Sequence, residues 1–245
     1  MFRGLSCSLA LLMSTTLSAG MIDFEVVPGE LFPYDGLSIK DQYQATEGVT
    51  FKFKRASGSP QIEAVGTDPD HSDVFIYGAG GMVDALAPGQ PSLGNFMLHH
   101  DGINNNGVPP DLVISFDNPV AFFSGMILDV DTWNPQTLQL EGWEITAFNN
   151  TQTVGFISIY PEKFGFPGIT GDDGLASIFD FSFDTPTITS IEISYVGNVP
   201  NPGYAFDNFY VSEFANVPEP GSLLMLAVCS GLGAVTRRRR RRSRQ

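Results

Sequence analysis

The sequence is poor in residue types that carry much of protein chemistry, above all cysteine. Its 245 residues include two cysteines, Cys7 and Cys229, and both lie close to the ends of the chain. The long segment between them therefore has neither a disulfide framework nor a thiol nucleophile. Its stability must come from packing, to which a bound metal ion could add.

Basic residues are also scarce outside the two termini. Of the 13 lysines and arginines, Arg3 and seven arginines after residue 236 account for eight, which leaves five for the rest of the chain. Residues 21–216 combine those five with 26 acidic residues. A segment this acidic repels phosphate backbones, so we exclude nucleic acid as a partner. The same charge suits divalent cations, or simply solubility in salt.

Histidine is the third shortage, and it argues against catalysis. His99 and His100 are neighbours, and neighbouring residues of a strand point to opposite faces, so their rings cannot cooperate directly. The sequence has no Gly-x-Ser-x-Gly elbow, no zinc-binding His-Glu-x-x-His and no glycine-rich phosphate loop. Two carboxylates can hydrolyse a glycoside, but no pair stands out among so many acidic residues. We therefore predict that the protein is not an enzyme.

Residues 1–20 have the features of a secretory signal peptide. Arg3 is followed by an apolar run from Leu5 to Leu17, and the small residues Ser18-Ala19-Gly20 end the segment. We predict cleavage after Gly20, or one or two residues earlier. An uncleaved anchor helix is the alternative, although the run is shorter than the roughly 20 residues that a membrane span needs.

Residues 217–245 form a tail with three parts in a fixed order. Its first part is Val217, Pro218, Glu219 and Pro220, which breaks regular structure, and its second is the apolar, uncharged segment 222–236. An arginine cluster at 237–244 follows, which begins with Arg237, Arg238, Arg239, Arg240, Arg241 and Arg242.

The apolar segment of this tail predicts a short transmembrane helix. Residues 222–236 would extend about 22 Å, short of the hydrocarbon core of about 30 Å, but long arginine side chains can snorkel to the interface. The arginines keep the C-terminal side in the cytoplasm. This topology places the acidic segment 21–216, which we call the body, outside the cytoplasm, as the signal peptide also requires.

The order of these parts resembles the PEP-CTERM sorting signal of Gram-negative bacteria that produce exopolysaccharide. In that family an exosortase, a membrane protease, recognises the tail and processes it near the Pro-Glu-Pro element. The resemblance covers residues 217–245. It implies export through the inner membrane, anchoring in that membrane by the tail, and a later place at the cell surface or outside the cell. An ordinary C-terminal anchor is the alternative.

Residues 21–216 carry an all-β pattern. Short alternating or β-rich runs recur between Gly, Pro, Asn and Asp, and no window has the sustained 3.6-residue apolar period of a helix. The predicted strands are Ile22–Val27, Tyr43–Arg55, Asp73–Tyr77, Asn95–His99, Asp111–Phe116, Ala121–Val130, Leu140–Asn149, Thr153–Tyr160, Ala176–Phe183, Thr187–Val196 and Ala205–Glu213. We predict one extracytoplasmic domain, a two-sheet jelly-roll-like sandwich, with a barrel as the alternative. Segments 28–42, 78–94 and 161–175 are predicted loops.

The beginning and the end of this body resemble jelly-roll carbohydrate-binding modules and the ectodomains that precede such sorting tails. The similarity rests on the short motifs at 22–25, 47–51 and 205–209. In many of those modules a structural calcium ion joins acidic groups of the first and last strands. The resemblance therefore implies a Ca²⁺ site where these two strands meet.

Strand alternation selects Glu25 and Asp207 as the candidate ligands of that Ca²⁺. We expect Glu25 to lie on the polar face of the first strand, and Asp207 to be in phase with the apolar residues Ala205, Phe209 and Val211. A buried carboxylate is costly unless a cation or hydrogen bonds compensate its charge. The alternative to a shared Ca²⁺ is that Asp207 meets backbone N–H groups or water.

Trp133 is the candidate for stacking on a sugar ring. It lies between Asp131-Thr132 and Asn134-Pro135, a loop-like setting in which an indole is accessible to a pyranose face. The alternative is that this ring is partly buried under its own loop. Trp143 alternates in phase with Ile145, and we therefore assign it to the core.

Three hypotheses about function follow. The first is an exported, non-enzymatic cell-envelope or extracellular-matrix protein, for example of a biofilm, which its tail tethers and an exosortase-type system processes. The second is a carbohydrate-binding module for exopolysaccharide. The third is a polysaccharide hydrolase or lyase, and the poverty in histidine and nucleophile motifs disfavours it.

Overall fold

The structure is a computed structural model, and it describes a defined part of the chain: residues 20–54, 58–64, 94–100, 108–128, 130, 133–134, 138–161, 169–171, 176–200, 202 and 205–213. The predicted signal peptide, the predicted strand Asp73–Tyr77 and the sorting tail lie outside these residues. Within them, no helix has the length and hydropathy needed to cross a bilayer.

The described residues form fifteen strands and one short helix. The strands are β1 Gly20–Ile22, β2 Leu37–Ser38, β3 Val49–Phe53, β4 Pro60–Ala64, β5 Phe96–His100, β6 Leu112–Val120, β7 Phe122–Leu128, β8 Trp133–Asn134, β9 Gln139–Leu140, β10 Trp143–Asn149, β11 Gln152–Pro161, β12 Ile169–Gly171, β13 Ser177–Ser182, β14 Ile188–Tyr195 and β15 Ala205–Ser212. The helix, α1, covers Gln44–Glu47.

These strands build two main sheets that pack face to face. In the described part of the chain, the larger sheet has seven strands in the order β13-β7-β15-β5-β4-β2, and β1 pairs with β15 beside that path. The smaller sheet has six strands in the order β12-β11-β10-β14-β6-β3. Strands β8 and β9 form a separate two-stranded ribbon. The predicted all-β, two-sheet sandwich is confirmed.

Aromatic rings from both sheets meet in the core between them. Phe209 of β15 lies 5.9 Å from Phe51 of β3 and 5.7 Å from Phe123 of β7, measured between ring centroids. Towards one end of the sandwich, Trp143 of β10 packs 5.7 Å from Phe206 of β15. Trp143 is 1% exposed, so its assignment to the core is confirmed. The alternation of buried and open positions along the strands creates this apolar layer between the sheets.

The hairpin between β10 and β11 follows the predicted strands closely. The two strands pair in antiparallel register from Trp143↔Ile159 to Asn149↔Gln152. Asn150 in the turn has a φ of 55°, a left-handed conformation that asparagine adopts more readily than most residues. Long strands with a clear turn signal are thus visible in the sequence.

The prediction of a first strand over Ile22–Val27 is wrong. Strand β1 begins at Gly20 and ends at Ile22, because Phe24 has a φ of 60° and the chain leaves the sheet there. Phe24 is still buried, as the alternation predicted, but Val26 is 74% exposed rather than part of the apolar face. Gly20 pairs with Val211, so the strand includes the last residue of the predicted signal peptide.

The prediction of one strand over Tyr43–Arg55 is wrong as well. Gln44–Glu47 forms the helix α1, and Gly48, with a φ of 66°, ends it in the left-handed conformation that favours glycine. Only then does β3 begin, at Val49.

Some short strands carry no periodic signal, and the sequence-based prediction missed them. Strand β2 lies in the predicted loop 28–42, β12 lies in the predicted loop 161–175, and β4 lies between two predicted strands. The hydrogen bonds of a partner strand define such two- to five-residue segments. Their existence therefore depends on tertiary pairing more than on local sequence.

Both ends of the body lie at the same end of the sandwich. Strand β1 pairs with the last part of β15, from Ile22↔Phe209 to Gly20↔Val211, whereas β5 pairs with β15 at Phe206. We call the end near Gly20 and Glu213 the tail end, because the sorting tail follows Glu213 in sequence. The opposite end, which we call the far end, includes Ala205.

The aromatic core provides a direct test of the fold. Phe209→Ala removes a fully buried ring, and we expect it to lower the free energy of unfolding by about 3–5 kcal/mol. Phe156→Ala is the matched control, because Phe156 is 54% exposed on β11, and we expect a loss of about 1 kcal/mol or less. Urea unfolding of both variants measures the difference. Equal losses would contradict the described core.

Candidate functional site

A β-bulge determines which way the Asp207 side chain points. Asp207 pairs with Met126 and Tyr210 pairs with Ser124, so β15 has one more residue than β7 between these pairs. Asn208 in the bulge has a φ of 52°. The prediction that Asp207 is in phase with Phe209 and Val211 is therefore wrong, since the extra residue reverses the alternation.

Asp207 instead faces away from the core between the two sheets. Like Ala205, it alternates with Phe206, whose ring packs in that core. This outer face of the larger sheet is nonetheless buried around Asp207, because Ala205, Met97 and Met126 belong to a second apolar cluster that is at most 6% exposed. Asp207 itself has an exposed fraction of 0%.

Backbone and amide N–H groups surround the Asp207 carboxylate. The backbone N–H of Asn208 donates to its Oδ1 at 2.7 Å, and the backbone N–H of Gly94 approaches its Oδ2 at 3.5 Å. The Asn208 side-chain amide lies 3.4 Å from Oδ2 and also contacts the Met126 sulfur at 3.3 Å. Of the ion pairs seen between described residues, none involves Asp207.

Glu25 lies beside Asp207 and binds the residues next to Gly94. Its Oε1 accepts hydrogen bonds from the backbone N–H groups of Asn95 and Phe96, the latter at 2.9 Å, and its Oε2 accepts one from Asn95 Nδ2 at 2.8 Å. A Cβ atom at Gly94 would overlap the Glu25 carboxylate, so a larger residue there would displace that side chain. Residues 94–96 therefore connect Glu25 to Asp207.

Asp23 is the third carboxylate of this group, which we call the acidic cluster. Its Oδ1 accepts the backbone N–H of Glu25 at 3.2 Å in a local turn. Burial, and to a lesser extent the negative charges of Asp23 and Glu25, raise the pKa of Asp207 to about 7, although the hydrogen bonds from Asn208 and Gly94 oppose the shift. The three carboxylates are thus electrostatically coupled.

Tyr43 closes the cluster from the side of the core. Burial raises the pKa of its phenol above the usual range, and the charges of Asp23, Asp207 and Glu47 add to this effect. The hydroxyl donates a hydrogen bond to the Val26 carbonyl at 3.0 Å. Tyr43 is therefore a neutral donor that fixes the segment after β1 against the core.

The acidic cluster offers oxygen atoms, the ligand type that Ca²⁺ prefers. In the geometry described, however, the oxygens of Glu25 and Asp207 point at N–H donors, and no set of three or more Asp, Glu, His or Cys in the described residues is arranged around one metal position. The structure thus places the two predicted ligands, Glu25 and Asp207, close together. Asp207 accepts hydrogen bonds from backbone N–H groups, as the alternative to a shared Ca²⁺ predicted. Calcium binding stays a prediction.

A second polar pair lies on β4 and β5. His99 Nδ1 is 2.9 Å from Glu63 Oε1, with side chains 13% and 18% exposed. Both residues are on the same strand pair that carries Met97. The pair holds neighbouring strands together, and we assign it no chemistry.

The other predicted site residues are only partly described. Trp133 lies on β8 and pairs with Leu140, but its side chain is outside the description, so sugar stacking stays a prediction. Val217–Pro220 and Arg237–Arg242 also lie outside the described residues. The sequence analysis missed Gly94 and Asn95 as partners of Glu25, and missed the bulge, for which the Asp207-Asn208 dipeptide within a strand was the available signal.

Comparison with known protein families concerns the tail. Residues 216–241 match the family model of the PEP-CTERM protein-sorting motif. The chain therefore carries a PEP-CTERM sorting motif, as the order of its C-terminal parts predicted. No curated protein matches the chain.

Two solved structures are similar to the body. The CBM22-1 xylan-binding domain of Paenibacillus barcinonensis Xyn10C is 11% identical, with 82% of this chain and 97% of that domain covered and a TM-score of 0.34. An F5/8 type C domain of a Bacteroides fragilis protein is 16% identical, with 75% and 100% covered and a TM-score of 0.28. Likenesses of this size carry no argument about ligand or activity.

The buried position of Asp207 predicts an unusual pH dependence of stability. Its pKa is about 7 in the folded protein against an ordinary value of 3.8, so the folded state binds more protons between these values. This group therefore makes the free energy of unfolding fall as the pH rises from about 4 to 7. Asp207→Asn removes this effect. We therefore expect the free energy of unfolding of the variant, measured relative to wild type, to be higher at pH 8 than at pH 4 by up to about 4 kcal/mol.

Urea unfolding at pH 4 and pH 8 measures this gain, and Asp180→Asn, an exposed aspartate of β13, is the matched control. The same pH dependence in wild type and Asp207→Asn would contradict a raised pKa of Asp207.

Proposed function

We propose that this chain is an exported, non-enzymatic cell-envelope or matrix protein, delivered by its sorting tail and processed by an exosortase-type membrane protease. The supporting observation is the sorting motif at 216–241, which follows the last strand of the body, β15, after three residues. Cleavage within the motif leaves β15 and its pairing with β1 intact. The signal helix, the transmembrane helix at 222–236, the jelly-roll connectivity and a Gram-negative cell surface are parts of this proposal.

Processing can be tested in a host that has an exosortase. We expect intact-mass analysis of the mature protein to show a body without Arg237–Arg244, because cleavage near Pro218-Glu219-Pro220 removes everything that follows. A chain with Glu219→Ala and Pro220→Ala serves as the uncleaved reference. Mature protein that retains the arginine cluster would contradict processing, although not export.

We further propose that the body binds one structural Ca²⁺ at the acidic cluster. A carboxylate that is fully buried next to two others is costly in a body with five basic residues, and a divalent cation relieves that cost. Rotation of Glu25 and Asp207 away from their N–H donors would turn their oxygens toward a shared ion. The ion would then join the segment that follows β1 to β15, and it would stabilise the neighbouring β1–β15 strand pair.

Thermal unfolding of chelator-treated body tests this proposal. We expect Ca²⁺ at a hundredfold excess over its dissociation constant to raise the melting temperature by roughly 5 °C or more. Glu25→Gln and Asp207→Asn should each abolish the shift, while Asp180→Asn should retain it. No shift in wild type, or an unchanged shift in both variants, would remove this site.

Binding of exopolysaccharide is the second function that we propose, with Trp133 as its candidate stacking residue. A glycan array probed with purified body, with and without Ca²⁺, separates this function from a purely structural role. Loss of a positive signal in Trp133→Ala would assign the residue, and absence of any signal would favour the structural role. A polysaccharide hydrolase or lyase would require turnover that a single Asp or Glu substitution abolishes.

A further inference from the structure

Large exposed apolar residues are concentrated in one short segment. Nine such residues are found in the described part of the chain, and five of them lie between residues 21 and 34. Four belong to the segment 26–34, which we call the apolar loop: Val26, Leu31, Phe32 and Tyr34 are 74%, 87%, 74% and 57% exposed. Single exposed apolar side chains are common on protein surfaces, whereas a cluster indicates a contact with something apolar.

The apolar loop is held in place at both of its ends. At its start the Val26 carbonyl accepts the Tyr43 hydroxyl, and the backbone N–H of Glu30 donates to the Val27 carbonyl at 3.0 Å. Just after it, the Asp35 carboxylate accepts the backbone N–H of Ala64 at 2.9 Å. The exposed side chains are therefore presented by a fixed backbone.

The apolar loop also lies in the half of the body near the tail end. It follows β1, which pairs with the tail-end half of β15, and Tyr43, to which it is bonded, leads into α1. Glu47 of α1 contacts Gly20, and a shallow pocket of about 50 Å³ is lined by Glu47 and by Glu213, the last described residue before the tail. The start of the loop is thus bonded to the residue that leads into α1, and α1 reaches Gly20 and the pocket beside Glu213.

We propose that the apolar loop rests on the lipid bilayer while the tail anchors the chain. This inference depends on the anchoring that the proposed function contains. Residues 214–221 span at most about 28 Å when fully extended, so the anchored body stays close to the bilayer. A tether this short gives an effective concentration in the millimolar range, so a weak intrinsic affinity for lipid is sufficient.

The charge of the loop determines the kind of contact. Glu30 is its one charged residue, and the body as a whole is strongly acidic, so attraction to anionic headgroups is excluded. The contact is therefore the shallow insertion of Leu31 and Phe32 at the level of the headgroups, a depth at which Leu and Phe side chains bind lipid.

The test uses the full chain in phosphatidylcholine vesicles, with Cys7 and Cys229 replaced by serine and an environment-sensitive fluorophore on a new cysteine. Phe32→Cys reports on the apolar loop. Leu138→Cys is the matched control, because Leu138 is 67% exposed and lies beside Asn198, just beyond β14, at the far end. Flotation of the vesicles measures anchoring independently of the fluorophore.

We expect emission from position 32 to rise about twofold and shift to the blue when vesicles are present, with no change from position 138. Failure of the chain to float would contradict the anchoring itself. A chain that floats while position 32 stays unchanged would overturn this inference alone. A rise that needs high protein density would indicate a second copy as the occupant, and a rise with soluble polysaccharide would indicate a sugar; either result overturns the inference.

Discussion

The antiparallel pairing of β1 with β15 joins residues that are 187 to 191 positions apart in the sequence, and most features of this protein depend on it. The pair completes the larger sheet beside β5 and positions Phe24 and Phe209 in the aromatic core. It also brings Asp23 and Glu25 next to Asp207, and it makes the chain enter and leave the body at one end. The acidic cluster forms, and Gly20 and Glu213 lie at the same end of the sandwich, because these two strands pair.

Scarcity of positive charge determines how the body accommodates its acidic residues. Glu25 and Asp207 are compensated by N–H groups of residues 94–96 and 208 instead of by lysine or arginine. Hydrogen bonds of this kind satisfy the oxygen atoms but leave the net charge in place. The high pKa of Asp207 expresses that remaining cost, and either a proton or a divalent cation would relieve it. Protonation or cation binding at Asp207 is therefore coupled to the stability of the fold.

The chain divides its tasks between a body and a tail. The tail carries the sorting motif, and the body carries a sandwich whose last strand ends before that motif begins. Such an order allows a protease to remove the tail without exposing a sheet edge, because β15 is paired with β7 on one side and with β1 and β5 on the other. An edge strand at this position would become a site for aggregation after cleavage.

Properties that depend on composition and on local periodicity can be predicted from the amino acids alone. The sorting motif was readable because its three parts are contiguous, and long strands such as β10 and β14 were readable because their alternation extends over seven or eight residues. The acidic body with few cations was visible as a simple count. Each of these signals is local, so no knowledge of the fold was needed.

Features that depend on one inserted residue or on a distant partner strand can be seen only in the folded chain. The bulge at Asn208 places Asp207 on the outer face of its sheet, because one extra residue puts the residues before it out of phase with Phe209 and Val211 after it. Phe24 ended β1 early because its left-handed backbone directs the chain out of the sheet, and this left Val26 in solvent. Strands β2, β4 and β12 exist through the hydrogen bonds of their partners. Each of these short strands is stabilised by hydrogen bonds to a partner strand, and the sequence of the short segment itself gives no sign of them.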